Sequence, residues 1–351
     1  MTTYYVRSSG GSDGNDGLSF GNGWATVQHA ADTVIAGDTV LVCADGNHTP
    51  SLTIDFDATT GTSGSRITFR GAGATGDDDG TVATISGSSL GAGFIIDATG
   101  SIDYVDFENL RITGGPSSGF NQQSGSAVWS FRNCRFDNNT NYGFISSWST
   151  GPQFYDCEFD NNGSDGLAGY IAGAYRCSFH DNTGDGYQAY TESISFCVSY
   201  DNGNDGFRFD SLDSSGIAHN LTSFGNGSDG IYINSSQSTI TNSIVFDNGA
   251  YGINATATGQ GATYINICSH SNTTAHCNWN GGTIPGSGHV LEDPSFVSVT
   301  DGAEDLTPQN TNLYITYVYK AGGTSYEYIG AIQPQASAGG DKYPYPRARR
   351  Y

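Results

Sequence analysis

Lysine is almost missing from this sequence. Lys320 and Lys342 are the only two in 351 residues, and Lys plus Arg total 13 against 35 Asp plus Glu, a net charge of −22. A nucleic-acid partner demands a cationic face, so that class is excluded. Methionine occurs once and leucine is sparse, which argues against a helical bundle. No apolar run approaches the ~18 residues of a membrane span, so no membrane partner is expected. The opening Met1-Thr2-Thr3-Tyr4-Tyr5-Val6-Arg7 has neither the charged nor the apolar part of a secretory leader. The seven cysteines are an odd number, and no small disulfide framework fits so long a chain. Together these features predict synthesis in a reducing cytoplasm; an upstream leader trimmed from the gene product would make the chain secreted instead.

Proline is scarce at nine residues, while 21 Tyr, 18 Phe and 4 Trp argue against disorder. Glycine fills 50 positions without a three-residue period, so the chain is not collagenous. The remainder is rich in Ser, Thr, Asn, Asp and β-branched residues, which predicts strands joined by many turns.

The middle of the chain repeats. Cys134-Arg135-Phe136-Asp137-Asn138 precedes Gly143-Phe144, Cys157-Glu158-Phe159-Asp160-Asn161 precedes Gly166-Leu167, and Cys177-Ser178-Phe179-His180-Asp181-Asn182 precedes Gly186-Tyr187. The series continues through Val198-Ser199-Tyr200-Asp201-Asn202, Thr222-Ser223-Phe224-Gly225-Asn226 and Ile244-Val245-Phe246-Asp247-Asn248, each followed by its glycine. Those glycines lie 23, 20, 20, 24 and 22 residues apart. A unit that short cannot bury a face alone, whereas stacked units can, so the repeat predicts a solenoid. Period two points Cys134 and Phe136 inward and Arg135 outward. The aromatics Phe136, Phe159, Phe179, Tyr200, Phe224 and Phe246 are expected to stack as one inward ladder. Phe144, Leu167, Tyr187, Phe207, Ile231 and Ile253 form a second. The asparagines 138, 161, 182, 202, 226 and 248 form a third, bonded amide to amide between coils.

These ladders resemble the right-handed parallel β-helix of the pectate-lyase-like superfamily. The opening Tyr4-Tyr5-Val6-Arg7, Trp24-Ala25-Thr26-Val27-Gln28-His29-Ala30 and Gly37-Asp38-Thr39-Val40-Leu41-Val42 is similar to that superfamily's first module. Asp293-Pro294-Ser295-Phe296 and Tyr328-Ile329-Gly330-Ala331-Ile332-Gln333 resemble its closing segment. The expected fold is therefore all-β: a right-handed parallel β-helix solenoid with a short N-terminal capping helix and an extended C-terminal tail. Val27, Ala30, Ala31 and Val34 give the helical stripe for residues 25–35. Residues 1–50 read as the opening and capping module, 51–290 as coils, 291–333 as the closing segment and 334–351 as a linker and basic tail. The resemblance implies no single activity, because the fold hosts lyases, hydrolases, epimerases and phage adhesins.

Four repeats carry Asp directly before the glycine: Asp165, Asp185, Asp205 and Asp229. Stacked, they are a candidate Ca²⁺ site or catalytic carboxylate row. Equally, Asp-Gly makes a turn with Asp facing water. Two residues past the glycines runs an outward column, Ile145, Ala168, Gln188, Arg208, Tyr232 and Asn254. Trp148, Tyr170, Gln188, Tyr190, Glu192 and Tyr232 are candidate sugar contacts, since aromatic faces beside amides and carboxylates suit sugar rings. Asp205, Arg208 and Asp210 are the candidate catalytic set. Resemblance to polysaccharide lyases would make Arg208 the base of a β-elimination; a solvated face on which Arg208 pairs with its acidic neighbours is the competing reading. Cys268, His270, His276 and Cys277 match no zinc spacing and read as structural.

The last ten residues, 342–351, hold four basic side chains and no acid, whereas the 341 before them hold nine basic against 35 acidic. Lys342, Tyr343, Tyr345, Arg347, Arg349, Arg350 and Tyr351 read as a docking strap behind a Gly/Ser/Ala linker. Two functions follow. One is a virion structural protein on the particle surface, a homotrimeric phage capsid decoration, fibre or tailspike-like β-helix that docks to capsid proteins through this strap and binds surface glycan. The other is a polysaccharide lyase or glycosidase acting on an extended polysaccharide in a groove along the helix.

Overall fold

The computed structural model describes residues 1–57, 60–100, 103–123, 128–147, 151–234, 239–255, 263–278, 287–299, 305–310, 314–318, 324–328 and 330. The chain divides into two compact units, residues 1–173 with 181–184 and residues 174–180 with 185–351. Both are parallel β-solenoids. The helix among the described residues is α1 (Val27–Thr33) and two single 3-10 turns.

Three parallel ladders build the first unit. Thr3–Val6, Thr39–Cys43, Ile67–Ala72, Val105–Glu108, Ser130–Arg132 and Gln153–Tyr155 pair in that order. A second ladder joins Ala83–Ser86, Leu110–Thr113, Arg135–Asp137 and Glu158–Asp160. The third joins Ile54–Asp55, Ile96–Ala98, Phe120–Gln122, Phe144–Ser146 and the start of Leu167–Tyr175. Because each coil returns to the same register, like residues lie above one another. Phe107, Phe131 and Phe154 stack at 4.9 and 5.0 Å between centroids, and Phe136 on Phe159 at 5.0 Å. Each fully buried ring contributes about 1.5–3 kcal/mol by leaving water, and its stacking adds to that.

The corners are turned by residues other than glycine. Asn109, Asn133 and Asp156 end one set of strands at φ between 50° and 54°, and Asn138 and Asn161 end another at 53°. Asn and Asp tolerate this left-handed conformation because their short side chains bond locally. At the front, α1 starts on Thr26, whose hydroxyl accepts the His29 N–H at 3.1 Å, and buries Val27, Ala30 and Ala31. The Gln28 amide clasps the main chain of Asp55 from both sides, at 2.6 and 3.0 Å.

The second unit, taken by itself, shows the same pattern with smaller side chains. Ser178–His180, Val198–Tyr200, Thr222–Phe224, Ile244–Phe246 and Cys268–His270 form one ladder. Tyr187–Ala189, Phe207–Phe209, Ile231–Ile233 and Tyr251–Ala255 form another. The positions expected after each glycine are buried in both units: Phe144 and Leu167 in the first, Tyr187, Phe207, Ile231 and Ile253 in the second.

Two sequence expectations are corrected. The asparagine ladder runs through Asn139 and Asn162, not Asn138 and Asn161. Asn139 Nδ2 donates to Asn162 Oδ1 and Asn162 Nδ2 to Asn182 Oδ1, both at 2.9 Å. Asn138 and Asn161 instead take the left-handed corner and bond the carboxylates of Asp137 and Asp160. In the second unit, Asn202, Asn226 and Asn248 bond in sequence as expected, and Asn248 goes on to Asn272, one coil beyond the expected ladder. The aromatic ladder also splits. His180 pairs with Tyr200, Tyr200 with Phe224 and Phe224 with Phe246, so these aromatics share an outward column. The inward position opposite Phe179 is Ser199, followed by Ser223 and Val245. The cause is spacing: the ladder asparagine stands three positions after Phe136 but only two after Tyr200.

The outward aromatics of the later coils are covered by the chain's own C-terminal part. Phe296 meets Phe224 and Phe246 edge-on at 6.2 and 5.6 Å, and Val290 bridges to Cys268. Gly330 donates to the Asn242 carbonyl at 2.7 Å. Burial pushes the Cys268 thiol up to about 12. Cys277 sits elsewhere, opposite Ile253, and both thiols are buried.

Candidate functional site

The Asp-Gly corners do not face water. Asp165, Asp185, Asp205 and Asp229 are between 4% and 7% exposed. In the second unit each carboxylate caps the next coil: Asp185 Oδ1 accepts the Asp205 N–H, Asp205 Oδ1 the Asp229 N–H, and Asp229 Oδ1 the Tyr251 N–H, all at 2.9 Å. Asp229 Oδ2 also accepts from Asn254 Nδ2 at 2.6 Å. The following glycine is required by closeness: a Cβ on Gly206 would lie 2.3 Å from Ser223 Oγ. Ca²⁺ takes six to eight oxygens in an open cage. Carboxylates already committed to main-chain donors in a buried ladder fit a structural role better than that coordination.

Beside this ladder the outward column forms as expected, with Gln188, Arg208, Tyr232 and Asn254 in consecutive register. Arg208 Nε donates to Asp210 Oδ1 at 3.1 Å, and its guanidinium lies 4.7 Å over the Tyr232 ring. Asp205 Oδ2 is 4.0 Å from Arg208 NH1. Gln188 Nε2 donates to the other oxygen of Asp210 at 3.0 Å. The structure thus brings Asp205, Arg208, Asp210, Gln188 and Tyr232 together.

The electrostatics decide what this group can do. Burial works to lower the Arg208 pKa, but the hydrogen bond and charge of Asp210, helped by Asp185 and Asp205, outweigh it and raise the pKa above its ordinary value. Arg208 is therefore held as a cation and is a poor proton acceptor. Asp210 has both oxygens engaged. Burial raises the Asp205 pKa, opposed by the Asp229 N–H and the Ser228 hydroxyl. What reaches solvent is a flat guanidinium on an aromatic ring, flanked by amides. A guanidinium has five N–H donors, and Asp210 takes one through Nε.

Tyr190 is 42% exposed in the second unit and Tyr170 is 36% exposed in the first. Glu192 lies within the strand Tyr187–Ser195; its side chain, all of Trp148 and the strap residues from Lys342 to Tyr351 lie outside the described residues. Asn254 was not among the candidate sugar contacts, although it stands two residues after Gly252 just as Arg208 does after Gly206. Its Oδ1 accepts from Asn278 Nδ2 at 2.9 Å, which carries the amide column one coil further.

A family model for the right-handed β-helix region matches residues 53–193 and 124–268. No curated protein matches the sequence. Among solved structures, pectate lyase Pel9A superposes with a TM-score of 0.70 at 19% identity, over 95% of this chain and 97% of that one. A rhamnogalacturonan lyase gives 0.55 at 14% identity, over 86% and 92% of the two chains. XylC in complex with xylose gives 0.56 at 11% identity, over 77% and 69%. At these identities each is a likeness of fold.

Proposed function

The chain belongs to the right-handed β-helix family, and we propose that it binds an extended polysaccharide along the column Gln188–Arg208–Tyr232–Asn254. The observation that carries this reading is Arg208, stacked on Tyr232 and fixed by a carboxylate that Gln188 also holds. The lyases that share the fold act, by their names, on pectate and rhamnogalacturonan. Consecutive coils place one polar or planar side chain every ~4.8 Å, which matches a polymer with repeating rings better than a single small molecule. Sugar rings offer apolar C–H faces to Tyr232 and hydroxyls to the guanidinium and amide donors. Arg208 serves here as a positioning donor, since a β-elimination base must be neutral at the working pH and Arg208 is held charged.

The test is binding of a soluble panel: polygalacturonate, rhamnogalacturonan and xylan, by affinity electrophoresis and calorimetry. Unsaturated products are followed in the same samples, with and without Ca²⁺. Retardation of the native chain that is lost in Arg208→Ala and Tyr232→Ala supports the reading. No binding to any polymer overturns it.

The virion reading has one observation of its own, the basic decapeptide 342–351 after an acidic chain. Deletion of residues 342–351 tests it: particle incorporation that survives the deletion removes that reading and leaves the polysaccharide column untouched.

A further inference from the structure

A second guanidinium-on-tyrosine pair stands in the first unit, and its charge balance differs from that of Arg208. On the strands Val105–Glu108, Ser130–Arg132 and Gln153–Tyr155, Phe107, Phe131 and Phe154 point inward. Glu108, Arg132 and Tyr155 share the outward register. The nearby carboxylates already serve other arginines. Asp106 takes Arg66 through two bonds at 2.6 and 2.7 Å and also the Ser130 hydroxyl. Glu108 takes Arg70 Nε at 2.6 Å.

Arg132 is exposed and lies 4.3 Å over the Tyr155 ring. Among the described residues it has no carboxylate partner, in a chain whose net charge is −22. Exposed Gln153, in register with Ser130 on the same outward face, accepts the Tyr155 hydroxyl on Oε1 at 2.6 Å, which leaves its Nε2 as a donor.

We propose that Arg132, Tyr155 and Gln153 form a recognition point for the carboxylate of an acidic sugar. A planar guanidinium accepts a carboxylate through two parallel N–H bonds, and stacking on Tyr155 holds the plane in place. The two carboxylates beside it in the ladder are already neutralised by Arg66 and Arg70, so one further carboxylate, carried on a sugar ring, balances the Arg132 charge. This site goes beyond the Arg208 column; it rests on that reading only for the ligand being a saccharide.

The test is calorimetric titration of the full chain with trigalacturonate and with its fully methyl-esterified form, which keeps the rings and removes the charge. The native chain is expected to bind the acid at least tenfold more tightly than the ester. Arg132→Gln, a surface change checked by an unaltered melting curve, is expected to bring the acid down to the affinity of the ester, with Arg132→Lys recovering only part. Equal binding of acid and ester, or acid binding unchanged in Arg132→Gln, overturns this inference and leaves the Arg208 column standing. A native chain that binds xylan but not trigalacturonate overturns it likewise. A chain that binds no saccharide at all overturns both.

Discussion

Arg208 lies over the ring of Tyr232 on the following coil, 4.7 Å from its centroid, and Asp210 holds it there through a 3.1 Å bond from Nε. The pair is stiff because each partner is fixed separately, Tyr232 by its strand and Arg208 by a carboxylate that also binds Gln188. A binding surface that is already ordered loses little entropy when ligand arrives.

The first prediction concerns that pair. Arg208→Ala is expected to weaken polysaccharide binding at least tenfold, about 1.4 kcal/mol at 25 °C. Arg208→Lys is expected to fail as well, because an ammonium has no plane to lay on Tyr232 while it bonds Asp210. Asp210→Asn should weaken binding less, by loosening Arg208 rather than removing it. Calorimetry on the three variants ranks them; a lysine variant that binds as the native chain does would remove the stacking argument.

The asparagine ladder gives the second. Asn139 Oδ1 accepts the Gly115 N–H and its Nδ2 bonds Asn162, both at 2.9 Å and buried. Asn139→Ala leaves those groups without partners and is expected to cost about 3 kcal/mol or more. Asn138, one residue earlier, sits at a left-handed corner, so Asn138→Gly should change stability by less than ~1 kcal/mol. Urea denaturation separates the two; equal losses would contradict the placement of the ladder on Asn139.

That one-residue difference shows how far the sequence could be read. The repeat, the solenoid, the post-glycine ladder and the Gln188–Arg208–Tyr232–Asn254 column follow from spacing and period two, α1 from a helical stripe, and the parallel β-helix from the superfamily resemblance. In Asp137-Asn138-Asn139 the two asparagines are alike on paper, and only the backbone twist decides which turns the corner and which enters the ladder. The Asp-Gly carboxylates were legible as turns, but their burial was not, because it depends on accepting an N–H from a coil some twenty residues later. Arg132 and Tyr155 lie outside the repeat motif, and the charge balance that distinguishes them needs the positions of Asp106 and Glu108.

A pH dependence follows from Asp205. Its pKa is raised in the folded chain by burial. The folded state therefore holds this proton more tightly than the unfolded chain, whose aspartate titrates near ~3.9. The associated stability is present below the unfolded value and is lost as pH rises through the folded one. Asp205→Asn keeps an Oδ1 acceptor for the Asp229 N–H and carries no charge. Its melting temperature relative to the native chain is expected to be higher at pH 7.5 than at pH 4. A difference that is flat between the two pH values, or of opposite sign, would show that Asp205 does not titrate as its burial implies.

The last prediction tests the split of the aromatic ladder. Ser199 is fully buried, donates from Oγ to the Gly206 carbonyl at 2.7 Å and accepts from Asn202 Nδ2 at 3.0 Å. A Cβ on Gly186 would already lie 2.2 Å from that hydroxyl, so the space is full. Ser199→Phe would restore the inward aromatic that the repeat motif suggests, yet it is expected to destabilise by about 3 kcal/mol or more, from overpacking and two lost bonds. Tyr200 is half-buried and stacks on His180 at 4.7 Å with the rings 8° apart. Tyr200→Ala is expected to cost only about 1 kcal/mol, as an outward ring contact rather than a core side chain. Were Tyr200 an inward member of the ladder, the order would reverse: truncation at 200 would cost the 3–5 kcal/mol of a buried aromatic, and a phenylalanine at 199 would meet solvent and change little. Thermal and urea unfolding of the two variants decide between these orders, because the two placements predict opposite rankings for the same pair of substitutions.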